Sequence, residues 1–542
     1  MRLVSVAQMK ELERQADGGG LSYTRMMAKA GKGLADIIHA RFWSHDHHSV
    51  LGMVGSGNNG GDTMVALTQL INGGWTAKAY IVKEREKDDD LISAFLAKGG
   101  ELASFSDDVS LKLLKRWVQG SDILLDGILG TGVSLPLRGS FPNVLSAIRS
   151  SIKQPLIVAV DCPSGIDCDT GETAKDCLKA DLTVCMAAVK QGLLKYPAHP
   201  FVGELAVVDI NLPKSLQAWK GIGGEVMTAQ KAAGFLPHRA EDAHKGTFGT
   251  CMIAAGSVNY CGAPLLASEA AYRVGAGLVR TAIPGAIYDA IAGYLPETTW
   301  LVLPYTDGVL NAEGARVLRR NLERVTAMLI GPGLGFETHT QDFLTELLEK
   351  TDSPNSTRRS LGFSDEKYEE KTALLSFLPP LVIDADGLRL LARIKDWHRK
   401  LGKTAVLTPH PGEMSALTGL RVEEIQRNRT EITLEYARKW GHVVVLKGAL
   451  TVTADPTGKY MVNPIASSAL ATAGTGDVLA GIITGLTAQG LSGYSAAVTG
   501  VWLHAQAGIH ASELLGSAAA VTARDVLAAI PSALKTTTGA QD

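Results

Sequence analysis

Short apolar runs alternate with longer amphipathic stretches throughout the first half of the chain. The apolar runs are rich in Val, Ile, Leu and Ala, and the amphipathic stretches include residues 62–72 and 91–98. Buried strands of a parallel sheet give continuous apolar runs, and the helices between them give amphipathic ones. We therefore predict strands at residues 50–54, 77–82, 122–125, 156–160, 182–186 and 205–208.

The second half of the chain has the same alternation. Its apolar runs predict strands at residues 250–255, 278–283, 327–330, 381–383, 405–407 and 442–446. The two halves share no order of motifs, so we infer two different α/β domains rather than an internal repeat. We place a boundary near residues 209–213, with residues 214–231 as the connection. Residues 351–371 are polar and aperiodic, which predicts a surface insertion.

The composition is that of a globular protein with enough apolar material for sizeable cores. Of the 542 residues, 46% are hydrophobic, and 53 basic against 55 acidic side chains give a formal charge of -2. This balance gives no general attraction to nucleic acid or to anionic membranes, so any phosphate must be bound by local loops. We expect no signal peptide and no transmembrane helix. The six cysteines form no C-x-x-C pair, which favours free thiols in a reduced cytoplasm over a metal or disulfide framework.

A glycine-rich loop at residues 474–476 is the strongest local pattern of the second half. Asp477 follows it at once, and apolar residues then recur with helical spacing. Backbone N–H groups at such a helix start can converge on an anion, such as a phosphate in transfer. A carboxylate in the first turn could take the proton of a hydroxyl that attacks phosphorus. Taken alone, the same pattern would more often be a plain glycine-rich turn in which Asp477 only begins a helix.

Further loops follow other predicted strands of the second half. They contain residues 331–335, His410 and Lys447. Ligands of open α/β sheets gather at the carboxyl ends of the strands, so these loops are expected to meet Asp477 there. His410 by itself would more often be a structural loop residue.

These motifs together resemble the NAD(P)H-hydrate dehydratases, a branch of the ribokinase-like fold, over roughly residues 225–535. The resemblance is carried by residues 244–249, 255–257, 262–263, 273–279, 331–335, 384–386, 408–413, 447–451 and 474–477. One departure is Ala255, where the family usually has glycine.

For this half, the resemblance implies a dehydratase that uses ADP in microbial members and ATP in others, with Mg²⁺ on the nucleotide phosphates. It implies that Asp477 is the catalytic base and that Ala263, Gly335 and His410 contact the hydrate together with it. It also implies that the nucleotide is bound by Lys447, Gly448, Ala449, Leu450, Thr451 and Gly476.

In the first half, a glycine-rich turn at residues 54–62 follows a predicted strand and opens a helix. As an isolated motif it is weak evidence for phosphate or dinucleotide binding, although its paired amides exceed what a plain turn needs. Further strand ends carry residues 126, 130–136 and 161–167. Oxygens of Asn59, Asp126 and Ser164 could surround a hard, weakly charged cation. Asp161 is placed for proton transfer, with a turn or helix cap as the alternative.

These segments resemble the NAD(P)H-hydrate epimerases over roughly residues 1–215, and Thr183 with Lys190 downstream belongs to the resemblance. Thr63 departs from it, because the family commonly has glycine there. The resemblance implies a Rossmann-like three-layer sandwich, a potassium ion on Asn59, Asp126 and Ser164, and catalysis by Asp161. It further implies a hydrate site made by Asp161 with Asn58, Asn59, Gly60, Gly61, Asp62, Gly130, Thr131, Gly132, Val133, Ser134, Leu135 and Pro136.

The two resemblances support each other, because fused microbial proteins of this type carry the epimerase first. They imply a bifunctional repair enzyme for NAD(P)H hydrates, cytoplasmic and homo-oligomeric, with the hydrate and ADP as its partners. One alternative is a small-molecule kinase on the same second fold, which would release a stable phosphorylated product. Another is a first half that binds a ligand without catalysis. The sequence leaves open ADP against ATP and NADH hydrate against NADPH hydrate.

Overall fold

The computed structural model describes residues 1–43, 48–86, 88–349, 378–402 and 405–539. The chain forms two compact units, Met1–Val226 and Met227–Asp542. The predicted insertion at residues 351–371 lies outside the described residues.

The first unit alternates strands with helices along the chain. Its strands are β1 (Leu3–Val4), β2 (Ser49–Val54), β3 (Thr76–Ile81), β4 (Glu101–Ser104), β5 (Ile123–Gly127), β6 (Leu156–Val160), β7 (Leu182–Met186), β8 (Val189–Lys190), β9 (Glu204–Val208) and β10 (Gly224–Val226). Its helices are α1 (Val6–Gly18), α2 (Tyr23–Phe42), α3 (Asn58–Asn72), α4 (Asp90–Ala97), α5 (Lys112–Gln119) and α6 (Phe141–Arg149).

Seven strands of the first unit form one parallel sheet in the order β4-β3-β2-β5-β6-β7-β9. The chain builds outward from β2 in one direction and then resumes at β5 in the other. Ligands of such sheets bind at this switch point, beyond the carboxyl ends of the strands. Two clusters of buried apolar side chains cover the two faces of the sheet, so the loops after β2 and β5 are held on a rigid base.

The second unit follows the same plan on a larger scale. Its strands are β11 (Thr250–Ala254), β12 (Leu278–Pro284), β13 (Thr299–Leu303), β14 (Tyr305–Thr306), β15 (Val309–Leu310), β16 (Ala327–Ile330), β17 (Leu381–Ile383), β18 (Val406–Leu407), β19 (Val443–Leu446), β20 (Val452–Ala454) and β21 (Tyr460–Val462). Its helices are α7 (Ala229–Phe235), α8 (Ala263–Arg273), α9 (Tyr288–Ile291), α10 (Ala312–Arg320), α11 (Thr338–Leu348), α12 (Asp386–Leu391), α13 (Pro411–Thr418), α14 (Val422–Arg427), α15 (Arg429–Trp440), α16 (Thr475–Ala488), α17 (Gly493–Leu515) and α18 (Ala523–Thr538).

The main sheet of the second unit runs in the order β21-β20-β19-β18-β17-β16-β11-β12-β13. The strands from β19 to β13 are parallel, whereas β20 and β21 add an antiparallel edge. Helices α8, α16, α17 and α18 cover one face through a cluster of small and branched side chains, and α10 to α15 cover the other. The switch point lies between β11 and β16.

Every strand predicted from the apolar runs is present, so the predicted α/β class with parallel sheets is confirmed. The helix predicted at residues 62–72 begins four residues earlier, at Asn58, because the polar NNGG segment forms its first turn. No apolar run predicted β4 or β13, whose residues are largely exposed at the sheet edges. Within the described ranges, no helix has the length and hydropathy needed to cross a membrane.

Candidate functional site

The polar site of the first unit begins at the start of α3. Gly57 precedes this helix, and no side chain caps it, so backbone N–H groups of the first turn are left for a ligand. Asn58 is exposed there, whereas Asn59, Gly60, Gly61 and Asp62 are buried. The helix start therefore offers N–H donors from a fixed backbone at the switch point of the sheet.

Asn59, Asp126 and Ser164 are linked through one loop. The Asn59 amide donates to the carbonyl oxygens of Leu129 (2.9 Å) and Val160 (2.6 Å). The Ser164 hydroxyl donates to Asp126 (2.5 Å) and accepts from the Leu129 N–H (2.9 Å), and the Ser164 N–H donates to the same carboxylate (2.8 Å). Burial raises the pKa of Asp126, although its bonds from Ser164 oppose the rise. A cation beside this carboxylate would offset the cost of burying it.

The loop of Gly130, Thr131, Gly132, Val133, Ser134, Leu135 and Pro136 follows β5, and none of its residues is fully buried. Gly130 packs against the Asn59 side chain, because a Cβ placed on Gly130 would lie 3.3 Å from Cγ of Asn59. The structure thus brings the start of this loop to α3, as the sequence predicted for strand ends of one sheet.

Asp161 follows β6, and its carboxylate is held by hydrogen bonds from Met186 and Lys190. One of its carboxylate oxygens, Oδ1, accepts hydrogen bonds from the Met186 N–H (2.8 Å) and from the Lys190 ammonium. Lys190 also donates to the Met186 carbonyl (3.2 Å) and is 1% exposed. Burial alone would lower the pKa of Lys190, but the charge of Asp161, the hydrogen bond to it and the nearby Cys185 together raise the pKa. Lys190 entered the sequence reading only as part of a motif.

Two further carboxyl groups lie near this pair. Burial raises the pKa of Asp62 well above its usual range, with the charge of Asp161 as a second cause and Lys190 opposing. Glu13 of α1 shows a raised pKa for the same causes, burial first. Sequence reasoning missed Glu13, because the amphipathic pattern of α1 does not distinguish a carboxyl facing a site from one facing water.

Arg85 is a second residue that sequence reasoning missed. It donates to the carbonyl oxygens of Gly55 (2.8 Å) and Gly57 (3.2 Å) and forms an ion pair with Asp89 (2.6 Å). It therefore holds the glycine turn that leads into α3. The sequence shows no signal for this contact beyond a basic residue after β3.

In the second unit, the site is built around the start of α16. Gly474 precedes this helix with a φ of 87° and no side chain caps it, so its first N–H groups are available as in α3. Asp477 lies in the first turn, as predicted. Burial, with Asp384 as the second cause, raises the pKa of Asp477 to about 7. The carboxyl group can therefore exchange a proton near neutral pH.

Lys447 ties the strand ends together. It donates to Asp384 (2.5 Å), which also accepts from the Thr408 hydroxyl (2.8 Å). Gly476 lies over this pair: a Cβ there would be 3.6 Å from the Lys447 nitrogen and 3.9 Å from Asp384. The predicted residues Lys447, Gly476 and Asp477 thus meet at one place, and Asp384 joins them as their common neighbour.

His410 is the N-terminal cap of α13. Its ring accepts from the N–H groups of Gly412 (2.9 Å) and Glu413 (3.3 Å), while the backbone N–H of His410 donates to the Glu413 side chain (2.8 Å). The His410 side chain is 44% exposed, and Glu413 lies 3.7 Å from the Lys447 nitrogen. Burial raises the pKa of Glu413 to about 7. His410 therefore has a structural role as a cap and an exposed ring edge as well.

The remaining predicted residues lie on neighbouring loops. Ala263 begins α8 and is buried against Gly333, and the Gly335 N–H donates to Asp386 (2.9 Å). Of the loop Lys447, Gly448, Ala449, Leu450 and Thr451, the two residues at 448 and 449 are exposed. Within the part of the chain that the structure describes, neither Ala263 nor Gly335 forms a hydrogen bond with Asp477.

Arg429 supports the Lys447 loop and was not foreseen. It donates to the carbonyl oxygens of Leu446 (2.8 Å) and Lys447 (3.2 Å), and its buried Nε has no partner among the described residues. Burial lowers the pKa of Arg429 to about 10. Its position before β19 gave no sequence signal, because the contact depends on how α15 packs.

Comparison with known proteins finds a family match for each half of the chain. The family model for NAD(P)H-hydrate dehydratase matches residues 251–354 and 364–532, and the model for the YjeF-related protein N-terminus matches residues 23–192. The chain is 34% identical to a bifunctional NAD(P)H-hydrate repair enzyme of Moorella thermoacetica over 99% of this chain and 97% of that one. It is 33% identical to the enzyme of the same name from Thermofilum pendens, over 95% and 93% of the two chains.

The chain therefore belongs to the family of bifunctional NAD(P)H-hydrate repair enzymes, as the motifs of both halves predicted. Among solved structures, it is similar to the ADP/ATP-dependent NAD(P)H-hydrate dehydratase of Bacillus subtilis, co-crystallised with ATP and Mg²⁺. That similarity has 29% identity and a TM-score of 0.45, and it covers 58% of this chain and 98% of the other.

Proposed function

We propose that the chain repairs hydrated nicotinamide cofactors in two steps. The first unit interconverts the R and S hydrates of NAD(P)H, and the second converts the S hydrate to NAD(P)H with ADP, releasing AMP and phosphate. Residues 1–215 are assigned to the epimerase and residues 225–535 to the dehydratase. The observation that carries the proposal is Asp477, a carboxyl group with a pKa of about 7 in the first turn of a helix whose N–H groups are uncapped.

The dehydration uses the groups around Asp477 in a defined order. Asp477 takes the proton of the C6 hydroxyl while the oxygen of this hydroxyl attacks the terminal phosphorus of ADP, and AMP leaves. N–H groups at the start of α16 and the Lys447 ammonium stabilise the charge on the phosphoryl oxygens. The nitrogen lone pair of the ring then expels phosphate, and loss of a proton at C5 restores NAD(P)H.

The substrates would be held by the loops around this base. Ala263, Gly335 and His410 are proposed to bind the hydrate, and residues 447–451 with Gly476 the nucleotide. The structure describes no group of three or more His, Cys, Asp or Glu side chains suited to a metal. Mg²⁺ would therefore be held mainly by the nucleotide phosphates, whose charge it offsets.

Epimerisation at C6 requires that one bond to this carbon opens and re-forms. Asp161 accepts the hydroxyl proton while the C6–N1 bond opens to a carbonyl, and the electron pair spreads over N1 and the carboxamide. The proton returns when N1 closes on the other face of the carbonyl. Asn58, Asn59, Gly60, Gly61 and Asp62 with residues 130–136 would hold the hydrate for this step.

A potassium ion on Asn59, Asp126 and Ser164 fits the donor set, which consists of oxygens around one buried carboxylate. Bound there, it would offset the charge of Asp126 and join the loops after β2, β5 and β6. A homo-oligomer in the cytoplasm stays a prediction.

The decisive experiment gives the purified chain racemic hydrate with ADP or ATP and follows the absorbance of restored NADH. We expect complete conversion with stoichiometric phosphate and AMP from ADP. A stable phosphorylated product without NADH would instead identify a small-molecule kinase. Conversion that stops at half, with nucleotide binding intact, would identify a first unit that binds a ligand without catalysis.

A further inference from the structure

The two oxygens of the Asp161 carboxylate have different surroundings. Oδ1 accepts from both the Met186 N–H and the Lys190 ammonium, whereas no described residue donates to Oδ2. The side chain is 12% exposed, and the backbone at Asp161 has a φ of 65°, which fixes the carboxylate at the end of β6. One oxygen is thus tied to the protein and the other is left for a ligand.

Lys190 bonds this carboxylate and is shielded from solvent. It is 1% exposed, and it donates hydrogen bonds to the Asp161 carboxylate and to the Met186 carbonyl. A buried ammonium is costly unless it is paired, so the pair must be ionised on both sides or on neither. Lys190 itself is too buried to reach a substrate.

The other titratable groups around Asp161 would all disfavour its charge. Asp62 reaches it from α3 and Glu13 from α1, both with pKa values raised first by burial. The thiols of Cys162 and Cys185 also face the pair, and their pKa values are raised too, through the Cys168 contact in the first case and burial in the second. Without Lys190, Asp161 would be the centre of an acidic cluster.

We propose that Lys190 is a positioning residue for the epimerase reaction: it fixes Oδ1 of Asp161 and keeps the carboxylate ionised, so that Oδ2 exchanges the proton with the hydrate. This inference rests on the proposed epimerase function of the first unit. It differs from a purely structural role because it predicts a change in the pH dependence of epimerisation and not merely in its size.

The test compares full-length chains carrying Lys190→Met, Lys190→Arg and, as matched control, Lys179→Met, an exposed lysine of the same unit. The substrate is R hydrate with ADP. An excess of the Asp161→Asn chain supplies dehydration, so that epimerisation limits the rate. kcat/KM is measured from about pH 4 to about pH 9, a range that begins near the ordinary pKa of an aspartate, about 4, and the rate without test protein is subtracted.

We expect Lys190→Met to move the acid limb upward by about one to three pH units, because a nearby cation lowers the cost of ionising a carboxyl by that much. Lys190→Arg should keep the limb in place with a smaller kcat, and Lys179→Met should match the unaltered chain. A Lys190→Met chain with an unshifted limb overturns the inference.

If Lys190→Met does not fold, Lys190→Arg decides, since a limb displaced despite the retained charge overturns the inference. Failure of the proposed epimerase function itself would give a result that none of these variants produces. In that case the unaltered chain would dehydrate S hydrate and leave R hydrate to the uncatalysed rate, and the inference would fall with the function.

Discussion

Asp161 and Asp477 occupy comparable places in the two units, near the carboxyl edge of a parallel sheet and beside a helix that begins without a side-chain cap. Each unit also contains a buried lysine bonded to an aspartate: Lys190 with Asp161, and Lys447 with Asp384. In the first unit the paired aspartate is the proposed base. In the second unit it is not, and Asp477 stands outside the pair with a pKa raised to about 7.

The comparison shows how one architecture serves two proton transfers. The Lys190 ammonium and the Met186 N–H hold one oxygen of Asp161, so the other oxygen can take part in proton transfer without a large change of its surroundings. Burial first, and then the charge of Asp384, raise the pKa of Asp477 to about 7, so Asp477 instead exchanges its proton near neutral pH.

The largest effect should come from Asp477→Asn. We expect dehydration to fall about 10²–10⁴-fold or more, because the general base is lost, while epimerisation is retained. NADH formation from S hydrate with ADP measures the first activity, and R-to-S conversion measures the second. Near-normal dehydration by this variant would show that Asp477 is only the first turn of α16.

Asp161→Asn should have the reverse effect, with racemic hydrate consumed in a fast phase and then a slow one. The slow phase is uncatalysed epimerisation, whereas the unaltered chain gives one fast phase. Because the hydrate diffuses, mixing this chain with the Asp477→Asn chain should restore the single phase. A single fast phase for Asp161→Asn alone would mean that Asp161 is a turn residue or that another unit is responsible.

The pH dependence should separate the two carboxyl groups. Since the pKa of Asp477 is about 7, kcat/KM for dehydration should fall by about tenfold per pH unit well below pH 7. The raised pKa also means that the folded state binds this proton more tightly than the unfolded chain, so its stabilising contribution is lost as pH rises from 3.8 to about 7. As pH rises through this window, the Tm of Asp477→Asn should therefore increase relative to the Tm of the unaltered chain. A Tm difference that does not change with pH would contradict the assignment.

Asp126→Ala should lower the epimerase activity by about tenfold and leave dehydration unchanged. A tenfold loss corresponds to about 1.4 kcal/mol, which is the order of one lost charge-assisted contact. Epimerisation should also lose its response to potassium, measured by replacing potassium with a large organic cation. Dehydration in the same samples is the control. Full activity with unchanged potassium dependence would mean that the ion, if any, lies elsewhere.

Deletion of residues 351–371 with a short Gly/Ser bridge should have the smallest effect. Loop closure entropy changes slowly with length, and both flanking elements, α11 and β17, remain intact. Both activities should stay within about twofold, a difference of less than 0.5 kcal/mol. Loss of dehydration alone would show that this segment contributes to the second site.

The strands and the loops at their carboxyl ends could be predicted because apolar runs and glycine turns are local properties of the sequence. The interior pairings could not. Lys190 lies 29 residues from Asp161, and Lys447 lies 63 residues from Asp384. Only the register of the sheet brings each pair together. Arg85 and Arg429 read as ordinary basic residues because they act through backbone carbonyls, which leave no pattern in the sequence.

Thr63 and Gly127 face each other across β5 and α3. The Thr63 hydroxyl donates to the Asn59 carbonyl (2.8 Å), and a Cβ placed on Gly127 would lie 1.8 Å from that hydroxyl oxygen. The order in which mutations can accumulate is therefore fixed at these two positions. Position 127 can acquire a side chain only after position 63 has lost its hydroxyl, whereas Thr63→Gly opens the space at once. A library randomised at both positions should recover side chains at 127 only in clones that carry glycine or alanine at 63.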